Sequence, residues 1–264
     1  MKLLAPGRTA KWVIGSLVLL GFALPLVSTF LYTLRDGDGL SGVHWAALFD
    51  ADQAAIFGPI WTGLGNSLVL AALTVTIVVL LLAPTMILVN LRFPSLKSAF
   101  EFLALLPISI PAIVLVVGLT PIYRQIGRAL GTGAWTLAFA YGITVLPFAF
   151  RAIQASIDSV DIKTLTEAAR SLGSGWPSVL FRVLAPNLRA GLLAASLISV
   201  AVVLGEFTIA SLLNRLVLQT ALVAVNRIDA YAASIFTLMA LAFAFVMLII
   251  IGRLGRAGSG RRQQ

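Results

Sequence analysis

Apolar residues occur along this chain in long runs that short polar segments separate. A membrane-spanning helix needs about 20 mostly apolar residues to cross about 30 Å of hydrocarbon, and six runs meet this requirement. They cover residues 12–34, 63–89, 100–119, 134–150, 191–213 and 232–252. Because lipid cannot satisfy backbone polar groups, each run is predicted to be a helix. The pattern predicts an all-α polytopic membrane protein of about six transmembrane helices, with residues 1–264 forming one membrane domain.

Composition agrees with this interpretation. The 264 residues are 59% hydrophobic and 11% charged, with a mean hydropathy of +1.01, which is too apolar for a soluble domain of this size. Lys2, Arg8 and Lys11 precede the first run, as in a signal peptide. That run is too long for a signal peptide and no A-x-A site follows it, so we expect an uncleaved anchor.

The basic residues predict the orientation. Of the 19 Lys and Arg residues, fourteen flank the runs on one side, and five lie on the other: Arg35, Arg124, Arg128, Arg215 and Arg227. The richer side is expected to be cytoplasmic, so both termini lie in the cytoplasm, in a cell (plasma or inner) membrane. The net charge of +9 is therefore attributed to these flanks and to a basic tail (253–264) beside anionic headgroups, rather than to nucleic-acid binding.

Two external features follow from this orientation. The longest external loop covers residues 35–62 and carries four carboxylates, Asp36, Asp38, Asp50 and Asp52. With the external segments 120–133 and 214–231, it offers a docking surface for an outside partner, or these charges only keep the loops solvated. His44 is the sole histidine and cysteine is absent, so no metal site is expected.

One cytoplasmic loop, residues 154–190, is unusually polar and contains "EAARSLGSGWPSVLFRVLAP" at 167–186. It is predicted to form two short helices with a hinge, because Gly173 suits a left-handed helix end and Pro177 suits a first helical turn. The first helix covers 164–172, and the second is expected to run to about 184 before Pro186 halts it. Leu165, Ala168, Ala169 and Leu172 then share one apolar face. A solvated connector is the alternative interpretation.

This segment resembles the EAA motif of the permease subunits of bacterial ABC importers, which reads EAA, three residues, Gly, nine residues, Ile-x-Leu-Pro. The matching residues here are Glu167, Ala168, Ala169, Gly173 and Pro186; Val183 replaces the isoleucine, and Ala185 departs from the leucine. Within that family the chain is most similar to the second permease of the spermidine/putrescine or 2-aminoethylphosphonate type. The resemblance implies the type I importer permease fold, with a coupling helix between helices 4 and 5.

The resemblance also implies a function and partners. The chain would form the translocation pathway for a small polar solute, without enzymatic activity or a bound cofactor of its own. Two separate ATPase subunits would bind ATP and Mg²⁺ and dock on the EAA loop. An extracytoplasmic binding protein and a second permease, a different one rather than a second copy, would complete the complex. In agreement, the chain has no G-x-x-x-x-G-K-[ST] phosphate loop.

Three residues within the spans are candidates for the solute pathway, namely Glu206, Tyr141 and Phe207. A carboxylate within a membrane is costly and suits a cationic amine, but Glu206 could equally pair with a neighbouring permease or stay protonated. Arg215 and Arg227 at the outer ends favour an anion instead, and a zwitterion would use both kinds of charge. Phe207 and Tyr141 could simply be packing residues.

A secondary transporter or channel and an intramembrane enzyme are the two alternative classes of protein. A self-sufficient secondary transporter or channel needs no ATPase-docking loop, and the inverted repeat that would favour one is not evident. An intramembrane enzyme needs clustered catalytic groups, and the runs contain no H-E-x-x-H motif or similar constellation.

Overall fold

The computed structural model describes residues 7–37 and 39–257, so Lys2, Asp38 and residues 258–264 of the basic tail lie outside the described residues. Helices make up 86% of the structure, which confirms the all-α prediction. In chain order the helices are α1 (Arg8–Thr33), α2 (Ala54–Arg92), α3 (Lys97–Leu105), α4 (Ala112–Leu130), α5 (Ala138–Asp158), α6 (Ile162–Ser171), α7 (Trp176–Asn187), α8 (Arg189–Gly205), α9 (Thr208–Leu212), α10 (Leu218–Asn226) and α11 (Ala230–Ala257).

The remaining elements are short. Two-residue strands β1 (Arg35–Asp36) and β2 (Gly39–Leu40) pair antiparallel. A single helical turn follows at Val43–Ala46. The 3₁₀ turns are Ala47–Phe49, Ala51–Gln53, Pro94–Leu96, Leu106–Ser109 and Ala134–Leu137.

The chain divides into two compact units. One contains Met1–Gly58 and Leu222–Phe243, and the other contains Pro59–Ala221 and Ala244–Gln264. The sequence-based expectation of one membrane domain over 1–264 stays a prediction.

Each of the six apolar runs overlaps a helix. Among the described residues, α1, α2, α4 and the helix Ala134–Asp158 are each long and apolar enough to cross a membrane. The α7–α8 pair qualifies as a bent span, and α11 contains the apolar stretch Ala230–Val246. At 1.5 Å per residue, the 39 residues of α2 reach about 58 Å, so its ends extend well beyond a 30 Å hydrocarbon layer.

The third run was placed wrongly. Residues 100–119 do not form one helix, because α3 ends at Leu105 and a 3₁₀ turn carries the chain to Ser109. The extended backbone of Ile110 and Pro111 then starts α4, which is the span-length helix. Pro107 and Pro111 cannot donate backbone hydrogen bonds, so they break a stretch that hydropathy alone treats as continuous.

Helix α2 contains a π-helical segment, Val78–Leu82, that ends two residues before Pro84. A wider turn leaves room for the proline ring, which would otherwise clash with a carbonyl one turn earlier. Pro147, by contrast, lies inside α5 without ending it. Pro84 and Pro147 are therefore both accommodated within continuous helices.

The core of the second unit comprises two buried clusters. One cluster joins α2, α5 and the α6–α7 hairpin through Met86, Ile87, Ile153, Ala169 and Leu184. The other surrounds the break between α8 and α9, and its members include Tyr123, Tyr141, Ile209, Ala210 and Val217. These two clusters position the candidate sites.

In the first unit, an aromatic stack fixes the loop that follows α1. The ring of Tyr231 lies 4.7 Å from that of Tyr32 and 3.9 Å from that of His44, nearly parallel to both. Trp45 donates a 3.0 Å hydrogen bond to the Thr33 hydroxyl. Trp45 thus has a specific packing role beside the end of α1.

Candidate functional site

The hairpin of α6 and α7 begins with a side-chain cap. Asp161 accepts hydrogen bonds from the Thr164 backbone N–H at 3.1 Å and from the Thr164 hydroxyl at 2.7 Å. These bonds from Thr164 favour the ionised form and lower the pKa of the Asp161 carboxyl below its ordinary value. The cap satisfies one of the free N–H groups of the first turn and fixes where α6 starts.

The same helix ends in a Schellman motif. Ser174 N–H donates to the Ala169 carbonyl at 3.0 Å, and Gly173 N–H donates to the Arg170 carbonyl at 2.9 Å. Gly173 lies between them with φ +83°, in the left-handed region that glycine occupies without strain. The predicted hinge glycine is therefore where the structure needs one.

Arg170 supports this turn rather than α6. Its Nη1 donates to the Ser174 carbonyl at 3.2 Å, and its guanidinium lies 5.6 Å from the centre of the Trp176 ring. Both contacts join the helix end to the start of α7, and the second is a cation–π contact. Arg170 makes no ion pair with Glu167, three residues before it, among the described residues. Across the part of the chain that the structure describes, the exposed Glu167 carboxylate has no hydrogen-bond or ion-pair partner.

The faces of α6 differ from the expected arrangement. Ile162, Thr166 and Ala169 are the buried residues of this helix, whereas Ala168 is exposed and Leu172 is 86% exposed. The predicted face of Leu165, Ala168, Ala169 and Leu172 is therefore split, because α7 packs on the side of Leu165 and Ala169. The outer face of the hairpin consists of Glu167, Ala168 and Leu172.

The second helix of the hairpin is longer than predicted. It contains a π-helical segment, Val179–Leu184, and continues past Pro186 to Asn187. As in α2, the π-helical segment ends two residues before the proline, so Pro186 is accommodated and does not halt the helix. The chain instead turns at Leu188, where α7 and α8 are bent by 80°. Val183 is half-buried and Pro186 exposed.

The hairpin is firmly joined to the helices beside it. Its inner residues Ile162, Ala169, Val179 and Leu184 belong to the same buried cluster as Met86 of α2 and Ile153 of α5. Close packing of this kind transmits displacement instead of absorbing it. A force on the outer face of the hairpin would therefore reach α2 and α5.

The helix that follows the bend approaches α5 closely at Gly191. A Cβ atom added there would meet the Ser156 Cβ and lie 2.8 Å from the Ala152 carbonyl oxygen. Only glycine fits this contact without displacing a neighbour. The contact lies within one turn of the α7–α8 bend, so it also fixes the base of the hairpin.

A second site surrounds Glu206, which interrupts the fifth apolar run. Helix α8 ends at Gly205, and Glu206 has extended backbone angles. Both oxygens of its carboxylate accept from the Ile209 N–H, at 3.0 and 3.1 Å, which caps the first turn of α9. This capping role was not among the alternatives for Glu206 in the sequence, which stay open, and the remaining lone pairs of the carboxylate stay available.

The two aromatic candidates differ in their surroundings. Tyr141 is fully buried in the cluster beside this break, and its hydroxyl has no hydrogen-bond partner among the described residues. Phe207 is 39% exposed, at the start of α9. Tyr123 is not among the candidates from sequence. Its hydroxyl donates to the Thr136 carbonyl at 3.0 Å and accepts from the Ala140 N–H at 3.1 Å. Tyr141 thus combines burial with an unused hydroxyl, whereas the hydroxyl of Tyr123 is fully engaged.

Three polar residues near the break, Gln219, Asn66 and Ser67, were not identified as site residues from sequence, and Arg215 was suggested only as a contact for an anion. Gln219 donates to the Leu204 carbonyl at 2.9 Å, which satisfies a group freed by the break. Asn66 donates to the Leu216 carbonyl, and Ser67 accepts from the Leu218 N–H. The Nε of Arg215 is buried without a partner in the described part of the chain. Asn66 and Ser67 interrupt an apolar run, which is a signal in the sequence, but the partners of Asn66, Ser67 and Gln219 are distant along the chain.

No group of three or more His, Cys, Asp or Glu side chains suitable for a metal lies together within residues 7–37 and 39–257. The chemistry that the described sites offer is therefore hydrogen bonding, charge pairing and packing. A mainly helical chain with several membrane-length helices and a hairpin packed against them is a polytopic membrane protein. These features are typical of a transport subunit.

Comparison with known families agrees. Residues 85–262 match the family described as the inner membrane component of binding-protein-dependent transport systems. Because the match covers more than half of the chain, the chain belongs to this family, and it is a permease subunit of an ABC importer. A search of curated proteins finds no match to this chain. The matched residues include the whole hairpin and the Glu206 break.

Proposed function

We propose that this permease takes its energy from separate ATPase subunits through the outer face of the α6–α7 hairpin. Glu167, Ala168 and Leu172 form this face, exposed to a partner, while the inner face of the same helix is buried with α2 and α5. A partner that moved the hairpin would thus move the helices. This arrangement supports the EAA-type coupling role that the sequence resemblance implies for Glu167, Ala168, Ala169, Gly173, Val183 and Pro186.

The bend at Leu188 supports the same role. If α8 crosses the membrane, the 80° angle places α7 roughly along the membrane surface. The hairpin would then lie flat beneath the bundle, where two ATPases that close on ATP and Mg²⁺ can displace it. Each bound species would favour one of two conformations, open to the inside or to the outside.

The partners and location follow from the same proposal. The complex contains two ATPase subunits, a second and different permease, and an extracytoplasmic binding protein. It lies in a bacterial inner membrane, with both termini of this chain in the cytoplasm. The fourteen-to-five distribution of basic residues supports this orientation.

The proposed cargo is a small polar solute, either a polyamine or an aminophosphonate-like compound. Glu206, Tyr141 and Phe207 lie at the α8–α9 break, where helix ends expose backbone groups and polar side chains collect. Interrupted helices of this kind line transport pathways in other membrane proteins. The solute would pass this break as the two permeases open and close around it.

The coupling role is tested by Glu167→Lys in the purified complex, reconstituted in proteoliposomes with its binding protein. The control is Ser95→Lys, which places the same lysine at an exposed residue outside the hairpin, in the 3₁₀ turn Pro94–Leu96. We expect Glu167→Lys to abolish ATP-driven uptake while the protein remains in the membrane, and Ser95→Lys to support uptake. Normal uptake in Glu167→Lys, or uptake against a gradient by the purified chain without ATPases, would reject the proposal.

A further inference from the structure

Two buried polar atoms in the described residues have no hydrogen-bond partner: the Tyr141 hydroxyl and the Arg215 Nε. An unpaired buried polar group is destabilising, so such groups are uncommon in folded proteins. A phenylalanine would fill the site of Tyr141 without this penalty. The pair therefore points to a partner that is absent from this conformation.

The two residues lie beside the same helix break. Tyr141 packs in the buried cluster that contains Ile209 and Ala210. Ile209 donates its N–H to the Glu206 carboxylate. The Ala210 carbonyl accepts a 2.8 Å hydrogen bond from the Arg215 N–H. The short helix α9 thus packs against Tyr141, with a carboxylate just before its start and an arginine just beyond its end.

The charges at this break favour a particular class of solute. Arg215 offers donors to an oxyanion, Tyr141 can donate or accept, and Glu206 retains acceptor capacity for an amine. The Glu206 carboxylate lies close to the Tyr141 hydroxyl, but the two groups fall short of hydrogen-bond geometry. A polyamine could pair with Glu206 but would be repelled by Arg215. A zwitterion can satisfy both charges.

We propose that Arg215, Tyr141 and Glu206 form the solute-binding site of this permease, and that its solute carries an oxyanion together with an amine. The proposal builds on the transport role above and chooses between the two cargo classes named there. Arg215 and Tyr141 bind the oxyanion, and Glu206 binds the amine. Because Tyr141 is fully buried here, the site is closed in this conformation and opens when the permeases separate.

The test is ligand-induced thermal stabilisation of the intact complex in detergent, since a ligand that binds the folded state raises Tm. Three probes share a primary amine and differ at the other end: 2-aminoethylphosphonate carries a phosphonate, β-alanine carries a carboxylate, and putrescine carries a second amine on a longer chain and no oxyanion. We expect stabilisation by at least one of the first two and none by putrescine. The zwitterion that raises Tm more identifies the oxyanion as a phosphonate or a carboxylate.

Two variants assign the residues. Tyr141→Phe removes only the unpaired hydroxyl and Arg215→Met removes the guanidinium, so each should weaken the apparent affinity on the order of tenfold or more. The controls Tyr32→Phe and Arg92→Met, at an exposed tyrosine and an exposed arginine, should leave the affinity unchanged. Because Tyr141→Phe relieves an unsatisfied group, the Tm of the ligand-free complex should not fall.

Stabilisation by putrescine alone, an absence of stabilisation by either zwitterion, or an unchanged affinity in both variants would overturn this assignment. The ATPase activity of the same preparation is measured in parallel. An active ATPase that responds to Glu167→Lys supports the transport role whatever the probes show, so failure of the solute assignment is distinguishable from failure of the proposed function.

Discussion

The backbone N–H of Ser174 donates a 3.0 Å hydrogen bond to the carbonyl of Ala169, and this bond closes the turn between the two helices of the hairpin. The turn depends on Gly173, whose φ of +83° costs a residue with a side chain about 1–2 kcal/mol. The direction in which α7 leaves α6 is thus set by one glycine.

Gly173→Ala should disturb this turn and reduce solute-stimulated ATPase activity of the reconstituted complex. Gly173→Asn should retain more activity, because asparagine tolerates the left-handed region. Gly175→Ala is the matched control: φ there is −73° and an added Cβ would make only an ordinary contact. Equal activity in Gly173→Ala and Gly175→Ala would show that the turn does not matter for coupling.

The close contact of α8 and α5 at Gly191 predicts a strong effect on stability. Gly191→Ala places a methyl group against Ser156 and the Ala152 carbonyl, so it should cost about 1–3 kcal/mol by overpacking. The expected result is a lower Tm of the purified protein in detergent. Gly142→Ala is the control, since its Cβ would lie 3.7 Å from the nearest Ile77 atom, and an equal Tm for the two variants would refute the contact.

The hydrogen bond from Gln219 to the Leu204 carbonyl predicts a role in holding the α8–α9 break. Gln219→Leu removes the donor, and we expect destabilisation of about 1 kcal/mol. Hydrogen exchange at the backbone of α9 should accelerate. The exposed Gln125 of α4 provides the control, Gln125→Leu, in which α9 should exchange at the wild-type rate; acceleration in both variants would argue against the bond.

The cap at Asp161 predicts a response to acid. Its pKa is lowered in the folded state by the bonds from Thr164, so its contribution to stability is complete above the ordinary aspartate pKa. That contribution is lost as the pH falls through the lowered value. Exchange protection of α6 should therefore decrease in acid in the wild type but much less in Asp161→Asn, which has no charge to lose. An identical acid response in the two proteins would contradict the cap.

Sequence alone predicted those parts of the fold that depend on local chemistry. The apolar runs located most of the long helices, and Gly173 marked the end of α6 because few other residues take a positive φ. The prediction of one helix for the third run was wrong at Pro107 and Pro111, because the loss of backbone hydrogen-bond donors outweighs hydropathy there. The prediction that Pro186 ends a helix was also wrong, because a π-helical segment accommodates this proline and α7 continues past it.

The candidate sites were less predictable, because they depend on tertiary partners. The sequence around Ala168 and Ala169 does not indicate which of the two faces α7. In the structure Ala169 is buried and Ala168 is exposed. Glu206 was identifiable as a costly carboxylate, but its bond to Ile209 requires the helix to break beside it. The role of Gln219 depends on its contact with Leu204, and that of Arg215 depends on the cluster around Tyr141. Folding brings these residues together, so the sequence alone does not show either role.

The central claim, that the outer face of the hairpin meets an ATPase, can be tested by cross-linking. The chain has no cysteine, so Leu172→Cys introduces a unique reactive site at a residue that is 86% exposed. Phe49→Cys, at a residue that is 91% exposed in the first loop, is the matched control. Both variants are treated with a thiol cross-linker in the intact complex and with an impermeant maleimide in intact cells. The account predicts that the thiol of the Leu172→Cys variant cross-links to the ATPase and resists the external maleimide, whereas the thiol of the Phe49→Cys variant does the reverse; external labelling of the Leu172→Cys variant without an ATPase adduct would contradict it.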